Sequence, residues 1–188
     1  GRSYLGSALT RCAYLAIRAD LNKLYYAGQA VKLYLRQTEE NPGDEELFRL
    51  LVDWLDLLDS FSSDDEEFSR DRGELWLVVL VWRFLAATGR RPQMQACVNC
   101  RQVVLPGKNY FDRLGGGLVC NACFNSSYRD KQLVSPLLTI SDNCCKVIRF
   151  ILDSSHDLRM IAKLRADKPI SQELSSLTLK FLDFVKSE

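Results

Sequence analysis

The sequence predicts a mainly α-helical protein, a helical bundle with an inserted cysteine-rich segment of short β-hairpins. Two observations predict this class. Apolar residues recur at helical spacing in three segments before residue 90, and two C-x2-C pairs stand in a Gly-rich segment after them. The chain has 188 residues, of which 47% are hydrophobic. A chain of this size buries about 70% of its extended-chain surface, so its main core needs no metal.

Three helices are predicted in the first half of the chain. An i, i+3, i+4, i+7 pattern predicts an amphipathic helix over about 18–37, formed by Leu21, Leu24, Tyr25, Gly28, Val31 and Leu35. Asn41-Pro42-Gly43-Asp44 supplies start signals for a second helix, whose apolar face comprises Leu47, Leu50, Leu51, Trp54, Leu55, Leu58 and Phe61. A third helix over about 66–88 is apolar nearly all round in its later half, which is typical of a central core helix. Its β-branched run also fits a buried strand, but its length and Gly89 as a C-terminal stop favour a helix.

Four cysteines carry the strongest chemical signal in the chain. Cys97 and Cys100 form one C-x2-C pair, Cys120 and Cys123 form another, and nineteen residues separate the pairs. Each pair can form a tight knuckle that aims two sulfurs at one point, so the four thiolates predict a tetrahedral zinc site. A redox motif needs only one pair, and a disulfide framework suits a shorter secreted chain. Because four cysteines leave no open position for an activated water, the metal is expected to be structural.

The cysteine-rich segment predicts a zinc finger over 93–131, inserted into a helical domain over 14–92 and 132–188. Within the finger, residues 103–105 are expected to pair with Tyr110-Phe111 around Pro106-Gly107, and Gly115-Gly116-Gly117 allows a second reversal. After the finger, Ser135-Pro136 and Ser141-Asp142 give start signals for a helix ending near Leu152. Two shorter helices are predicted over about 157–166 and 171–186.

Charge is segregated along the chain, although the net charge is only +1. Residues 1–36 carry +5, residues 37–74 carry −11 and residues 90–131 carry +5. The acidic stretch is interpreted as a solvated helix face and a flexible connection near 62–67. The basic finger could meet phosphates or an acidic peptide, and its candidate DNA-binding cations are Arg90, Arg91, Arg101, Lys108 and Arg113. Ordinary surface solubility explains the same cations, and Tyr110 and Phe111 fit either a finger core or base stacking.

The sequence indicates no catalytic site. His156 is the only histidine and lies in a predicted turn, where it is not expected to act as a base. The Gly triplet lacks the Gly-Lys-Ser/Thr of a phosphate loop. An acidic peptide with apolar ends would seek an apolar groove rimmed by cations, for which Arg83 and Arg149 are candidates because Trp82, Phe84, Ile148 and Phe150 flank them. We therefore expect a binding protein and not an enzyme.

The expected setting is the cytosol. Cys12, Cys144 and Cys145 remain after the four zinc ligands, and free thiols favour a reducing compartment. The longest apolar run, from Leu75 to Ala87, is too short for a membrane span and contains Arg83, so no membrane partner is expected. The first residue is Gly1 and not Met, which suggests a fragment or a processed product.

The order of motifs resembles a known family, the bacterial RecO proteins. The first helix carries 15-LAIRADLNKLYYAG-28, the second 46-ELFRLL-51, and the third ends in Trp82-Arg83-Phe84-Leu85 before Thr88-Gly89-Arg90-Arg91-Pro92. The finger is similar through 95-QACVNC-100, Tyr110-Phe111-Asp112, 115-GGGLVCNAC-123 and 133-LVSP-136. The finger is the most specific part of this likeness and the last 40 residues the least.

The resemblance implies a recombination mediator in DNA repair, located in the bacterial cytoplasm at the nucleoid. It implies binding to single- and double-stranded DNA, to RecR and to the C-terminal tail of single-stranded-DNA-binding protein, so as to promote strand annealing and RecA loading. RecO proteins begin with an OB-fold, which this chain does not match, so residues 1–13 are interpreted as a remnant of the junction and DNA affinity is expected to be weakened. A zinc-ribbon protein-interaction or transcription module is the alternative, and a metal-dependent enzyme is a third reading.

Overall fold

The computed structural model describes residues 10, 12–38, 44–61, 68–127, 137–153, 157–161 and 163–185. These residues form eight helices and a small antiparallel sheet. The helices are α1 (Leu15–Ala19), α2 (Leu21–Thr38), α3 (Glu45–Ser60), α4 (Arg70–Ala87), α5 (Asn121–Ser127), α6 (Asp142–Leu152), α7 (Leu158–Ile161) and α8 (Lys168–Val185). The strands are β1 (Asn109–Asp112), β2 (Gly117–Cys120) and β3 (Leu137–Ile140). The predicted mainly helical fold with short hairpins and a four-cysteine cluster is confirmed.

Helix α4 is the centre of the protein, as its nearly uniform apolar sequence predicts. One side of α4 packs with α2 and α3, where the Trp54 indole donates to the carbonyl of Trp76 at 3.0 Å. Its other side packs with α6, α8 and the sheet, where the Trp82 indole donates to Thr178 Oγ1 at 2.9 Å. Gly89 adopts φ +76°, and the following N–H groups close the helix end, so the predicted glycine stop is confirmed.

Helix α3 also follows its sequence signals. Asp44 caps its N-terminus by accepting from the N–H of Leu47 at 3.0 Å, and the first turn is acidic. Four of the seven residues on the predicted apolar face are fully buried: Leu47, Leu51, Trp54 and Leu58. The preceding Asn41-Pro42-Gly43 lies outside the described residues, as do the acidic connection 62–67, the start signal at Ser135-Pro136 and His156.

The predicted first helix forms two helices, and its apolar face points outward. Asp20 is extended and ends α1, and its carboxylate then accepts from the N–H of Asn22 at 2.8 Å and of Lys23 at 3.0 Å to start α2. The buried side of α2 carries Tyr26, Ala27, Ala30 and also Lys23, whose ammonium group donates to the carbonyl of Phe61 at 2.6 Å. The predicted apolar stripe of α2 is exposed, which is unusual for a surface helix.

The sheet differs from the predicted hairpins in its pairing. Strand β1 pairs with β2 through the predicted Gly reversal, but its other edge pairs with β3 and not with 103–105. Val103 forms only an isolated bridge with Ala96. Val103 and Leu105 are both 72% exposed, and the buried Val104 between them donates its N–H to the carbonyl of Gln95 at 3.0 Å, so this segment pairs with 95–96 and not with β1. Strand β3 was not predicted, because both start signals after the finger were assigned to one helix. Only Ser141 caps α6, and β3 occupies the four residues before it.

The cysteine-rich segment is packed firmly onto the helices. Phe111 of β1 is fully buried and lies edge-on to Trp82 of α4 and Phe181 of α8, with ring centroids 6.3 Å and 5.2 Å away. Cys144 and Cys145 are buried as small core residues. Residues 1–13 are largely outside the described part of the chain, and the division into finger and helical domain at 93 and 131 stays a prediction. In the part of the chain that the structure describes, no helix is both long enough and apolar enough to cross a membrane.

Candidate metal centre and its surroundings

The first knuckle is built by the turn from Cys97 to Arg101. The N–H of Cys97 donates to Gln102 and the N–H of Arg101 donates back to Cys97, both at 2.9 Å, which closes the turn. Arg101 adopts φ +61°, a left-handed conformation that lets the chain reverse directly after Cys100. The Cys97 side chain is buried at the base of the turn, while Cys100 is exposed at its outer end.

The second knuckle joins the end of β2 to α5. Cys120 is the last residue of β2, and Cys123 lies in the first turn of α5. The strand and the helix therefore fix the position of the second knuckle. The N–H of Cys120 points at the Sγ of Cys97 from 3.4 Å, which ties the two knuckles together. The sequence spacing of the two pairs therefore becomes one cluster.

The four sulfurs have the arrangement that a tetrahedral metal requires. All four Sγ atoms lie within 4.8 Å of one another, and those of Cys100 and Cys120 are 3.8 Å apart. Zinc–sulfur bonds of about 2.3 Å in a tetrahedron place two sulfurs about 3.8 Å apart. The cluster can therefore hold a metal ion, and its soft donors fit zinc.

The four cysteines strongly affect the ionisation of one another's thiol groups. Burial alone would raise the pKa of Cys97, but backbone N–H groups of Cys100, Cys120 and Asn99 donate to its sulfur and bring the pKa down to about 6. At Cys123, burial and the hydrogen bonds among the four sulfurs raise the pKa to about 12. Without a metal, the cluster thus holds one stabilised thiolate next to a thiol that resists ionisation. A bound divalent cation would stabilise the thiolate form of all four cysteines, because its charge attracts the negative sulfurs.

The β1–β2 hairpin holds the second knuckle against the first. Gly116 reverses the chain with φ +64°, and Gln93 bonds to both sides of that turn, donating to Gly116 at 2.8 Å and accepting from Leu118 at 2.9 Å. A Cβ on Gly117 would lie 2.6 Å from the Gln93 carbonyl oxygen, so only glycine allows this approach. The Gly-rich run is thus structural.

The two finger aromatics are core residues. The Tyr110 ring stacks on Phe124 of α5, with centroids 3.8 Å apart, and Phe111 is buried against the helices. Of the two readings that the sequence left open, the structure selects the finger core and leaves neither ring available for a base. Any contact between the finger and a polynucleotide would therefore depend on attraction between cationic side chains and phosphates.

The five candidate DNA-binding cations lie on different segments of the finger and of the chain that leads into it. Arg90 and Arg91 lead from α4 into the finger, Arg101 follows the first knuckle, Lys108 precedes β1 and Arg113 follows it. Four of these side chains are exposed and Arg113 is half-buried.

Arg83 and Arg149, the predicted rim of a peptide groove, have structural hydrogen bonds. The Arg83 guanidinium donates to the carbonyl of Asp153 at 3.1 Å, at the end of α6. The Nε of Arg149 donates to the carbonyl of Met94 at 2.6 Å, which ties α6 to the start of the finger. Burial, reinforced by the charge of Arg91, lowers the pKa of Arg83. Both side chains are half-buried: Arg149 ties the finger to α6, whereas Arg83 ties α4 to the end of α6.

A groove that the sequence did not reveal lies between α2, α4 and α8. It has a volume of about 370 Å³, and its apolar lining includes Leu77, Val78, Val81 and Leu182. Three exposed cations border it, Lys32, Arg36 and Arg70, with Glu74 as the one acidic lining residue. The sequence shows that Lys32 and Arg36 lie four residues apart and so on one side of a helix. It does not show that Arg70 and α8 lie beside them, because only the fold brings these segments together.

Comparisons with known proteins identify relatives of this chain. The family model described as "Recombination protein O C terminal" matches residues 18–185. "DNA repair protein RecO" of Dehalococcoides mccartyi strain BAV1 is 29% identical over 162 residues, which are 86% of this chain and 56% of that protein. "DNA repair protein RecO" of Pelobacter propionicus is 34% identical over 128 residues, covering 65% of this chain and 46% of that protein.

The matched region is only part of these relatives. The chain spans about half the length of the curated relatives it matches. No solved structure matches the chain. The family match nevertheless covers α2 through α8, the cysteine cluster included, and so includes every site described above. The chain therefore belongs to the Recombination protein O C-terminal family.

Proposed function

We propose that this chain is the helical and zinc-finger region of a non-catalytic recombination mediator in DNA repair. In this role it binds single- and double-stranded DNA, RecR and the tail of single-stranded-DNA-binding protein, and it supports strand annealing and RecA loading. The observation that carries the proposal is a four-sulfur centre in a chain of the RecO C-terminal family, with exposed cations on neighbouring segments of the sequence. Four sulfur ligands complete a tetrahedron, which supports a structural zinc and a role in binding.

DNA binding is proposed at the five candidate cations of the finger and of the chain that leads into it. Cations on several segments suit a flexible polyanion, because each can reach a phosphate independently of base identity. Since the finger aromatics are buried, affinity without sequence preference and with strong salt dependence is expected. If all five cations bind phosphates, the logarithm of the single-strand association constant falls with the logarithm of salt with a slope of about −3.5.

The DNA proposal is tested by fluorescence anisotropy of a labelled oligonucleotide titrated with the zinc-loaded chain. The variant Arg101→Glu, Lys108→Glu reverses two exposed finger charges. The matched control is Arg159→Glu, Lys163→Glu, which makes the same charge change at exposed sites far along the chain. We expect at least tenfold weaker binding for the finger variant than for the control. If both variants bind equally weakly, net charge and not the finger determines the affinity. If the native chain does not bind DNA even in low salt, a protein-interaction module is favoured.

The partner peptide is proposed to bind in the groove between α2, α4 and α8. A tail with acidic residues and an apolar end matches an apolar floor bordered by Lys32, Arg36 and Arg70. Arg83 and Arg149 are less suited, because their guanidinium groups already donate to backbone carbonyls.

A labelled tail peptide distinguishes the two locations. The variant Lys32→Glu, Arg70→Glu is expected to abolish saturable binding, while Arg83→Gln, Arg149→Gln retains it. The opposite result would restore the location predicted from the sequence. Circular dichroism of both variants checks that each is folded before the affinities are compared.

A further inference from the structure

The four cysteines of the metal centre differ in their access to solvent. Cys100 is exposed at the outer end of the first knuckle, and Cys120 and Cys123 are half-buried. Cys97 is only 1% exposed, and its sulfur also accepts from the N–H of Cys120 at 3.4 Å. A reagent that arrives from solvent therefore meets the sulfur of Cys100 first.

A second thiol lies next to Cys100 on the other knuckle. The Sγ atoms of Cys100 and Cys120 are 3.8 Å apart, although the two residues are twenty positions apart in the chain. A disulfide holds its sulfurs about 2.05 Å apart, so these two must approach by about 1.8 Å. An exposed cysteine beside a second cysteine that can resolve it is the arrangement found in thiols that respond to oxidants.

We infer that the metal centre is an oxidation-sensitive site, at which a hydroperoxide joins Cys100 to Cys120 and releases the zinc. The inference rests on the zinc proposed above. Because four sulfurs complete the tetrahedron, the oxidant reacts at a sulfur ligand and needs no open position on the metal. Zinc has no redox chemistry of its own, so the electrons come from the two cysteines.

The reaction is a two-electron oxidation of two thiolates. The Cys100 sulfur attacks one oxygen of hydrogen peroxide; an S–O bond forms, the O–O bond breaks and hydroxide leaves, so Cys100 becomes a sulfenic acid. The Cys120 thiolate then attacks the Cys100 sulfur; the S–S bond forms, the S–O bond breaks and a second hydroxide leaves. Each hydroxide takes up a proton from the solvent, so one peroxide is reduced to two waters for each disulfide formed.

The disulfide removes two of the four zinc ligands. Cys97 and Cys123 remain, and two sulfurs bind zinc much more weakly than four. Zinc is therefore released, and a covalent bond joins the two knuckles in its place. Reduction of the disulfide by a thiol in the presence of zinc restores the site, so the change is reversible.

Zinc release affects α5 most directly. Cys123 lies in the first turn of α5, and the next residue, Phe124, stacks on Tyr110 with ring centroids 3.8 Å apart. A helix of seven residues is not stable by itself in water, so α5 depends on such contacts. Amide hydrogen exchange in α5 should therefore become faster after oxidation, while the buried Phe111 keeps the sheet on the helices.

Zinc release from the full zinc-loaded chain in excess hydrogen peroxide, followed with a colorimetric chelator, tests the inference. One zinc per chain before peroxide is added tests the proposed site, and release afterwards tests only its oxidation. The native chain should release its zinc and recover it after reduction with added zinc. Cys12→Ser, which lacks an exposed thiol outside the cluster, should behave like the native chain. Zinc that stays bound after the exposed Cys12 of the native chain has been oxidised overturns the inference.

Mass spectrometry of the oxidised chain, alkylated and digested without reduction, identifies the disulfide. Cys100 should be joined to Cys120, and a disulfide within either C-x2-C pair would overturn this assignment. Cys100→His keeps a nitrogen ligand for zinc but has no sulfur to oxidise at that position. When it holds one zinc, it should release that zinc at least tenfold more slowly than the native chain, and release at the native rate would contradict the role of Cys100. If it binds no zinc, the disulfide found in the native chain decides.

Discussion

Replacing Phe111 with alanine tests whether the finger shares one core with the helices. Phe111 has no exposed surface and contacts the rings of both Trp82 and Phe181. A buried phenylalanine removes about 150–250 Å² from water, and at about 25 cal/mol per Å² this burial contributes about 4–6 kcal/mol. Because the unfolded chain already covers part of that surface, we expect a loss of about 3–5 kcal/mol in the free energy of unfolding.

The loss is measured by urea denaturation followed by circular dichroism of the helices, with metal release recorded on the same samples. Leu114→Ala, in the same hairpin but 65% exposed, should change stability by less than about 0.5 kcal/mol. Helix unfolding and metal release should shift together in Phe111→Ala. If the helices of the variant unfold at the native urea concentration while metal is lost early, the finger is an independent unit and the shared core is refuted.

Three further predictions follow from individual sites. Gly73→Ala would place a Cβ against the buried Tyr26 ring, so a loss of about 1–3 kcal/mol in the free energy of unfolding is expected by urea denaturation. Gly28→Ala, where a Cβ meets open space, should not lose stability, and equal losses in the two variants would refute the contact. Arg101→Gly should gain about 0.5–1 kcal/mol in thermal unfolding because Arg101 has φ +61°, whereas a loss would show that its side chain matters more than the backbone. Burial raises the pKa of Cys144, and raises that of Cys145 to about 11, so both remain protonated thiols at pH 8. Mass spectrometry after alkylation of the native protein should therefore find the exposed Cys12 modified first, and modification of Cys145 at the same rate would contradict this assignment.

The features that the sequence predicted well depend on neighbours in the chain. The cap at Asp44, the glycine stop at Gly89 and the C-x2-C knuckles each act within a few residues, so their patterns are readable directly. The central position of α4 follows from its composition, because a helix that is apolar all round has to be covered on every side.

The features that were missed depend on distant segments. An apolar stripe predicts that α2 is amphipathic but does not identify its partner, and here the small residues Ala27 and Ala30 face the core. Strand β3 pairs with β1 about 28 residues earlier, and no local turn signal links them. The groove needs Arg70 and α8 beside Lys32, and only the assembled helices bring them together.

Elemental mass spectrometry of the native chain and of Cys97→Ser tests whether the four cysteines bind one zinc ion. One zinc per native chain is expected, because the four sulfurs form one tetrahedral site. Cys97→Ser should lose the zinc, and most of its helical circular dichroism should remain in the absence of denaturant, although its helices should unfold at a lower urea concentration because they share a core with the finger. Cys12→Ser should keep its zinc, since Cys12 lies outside the cluster. An unchanged zinc content in Cys97→Ser would contradict the four-cysteine site and the structural role proposed for its zinc.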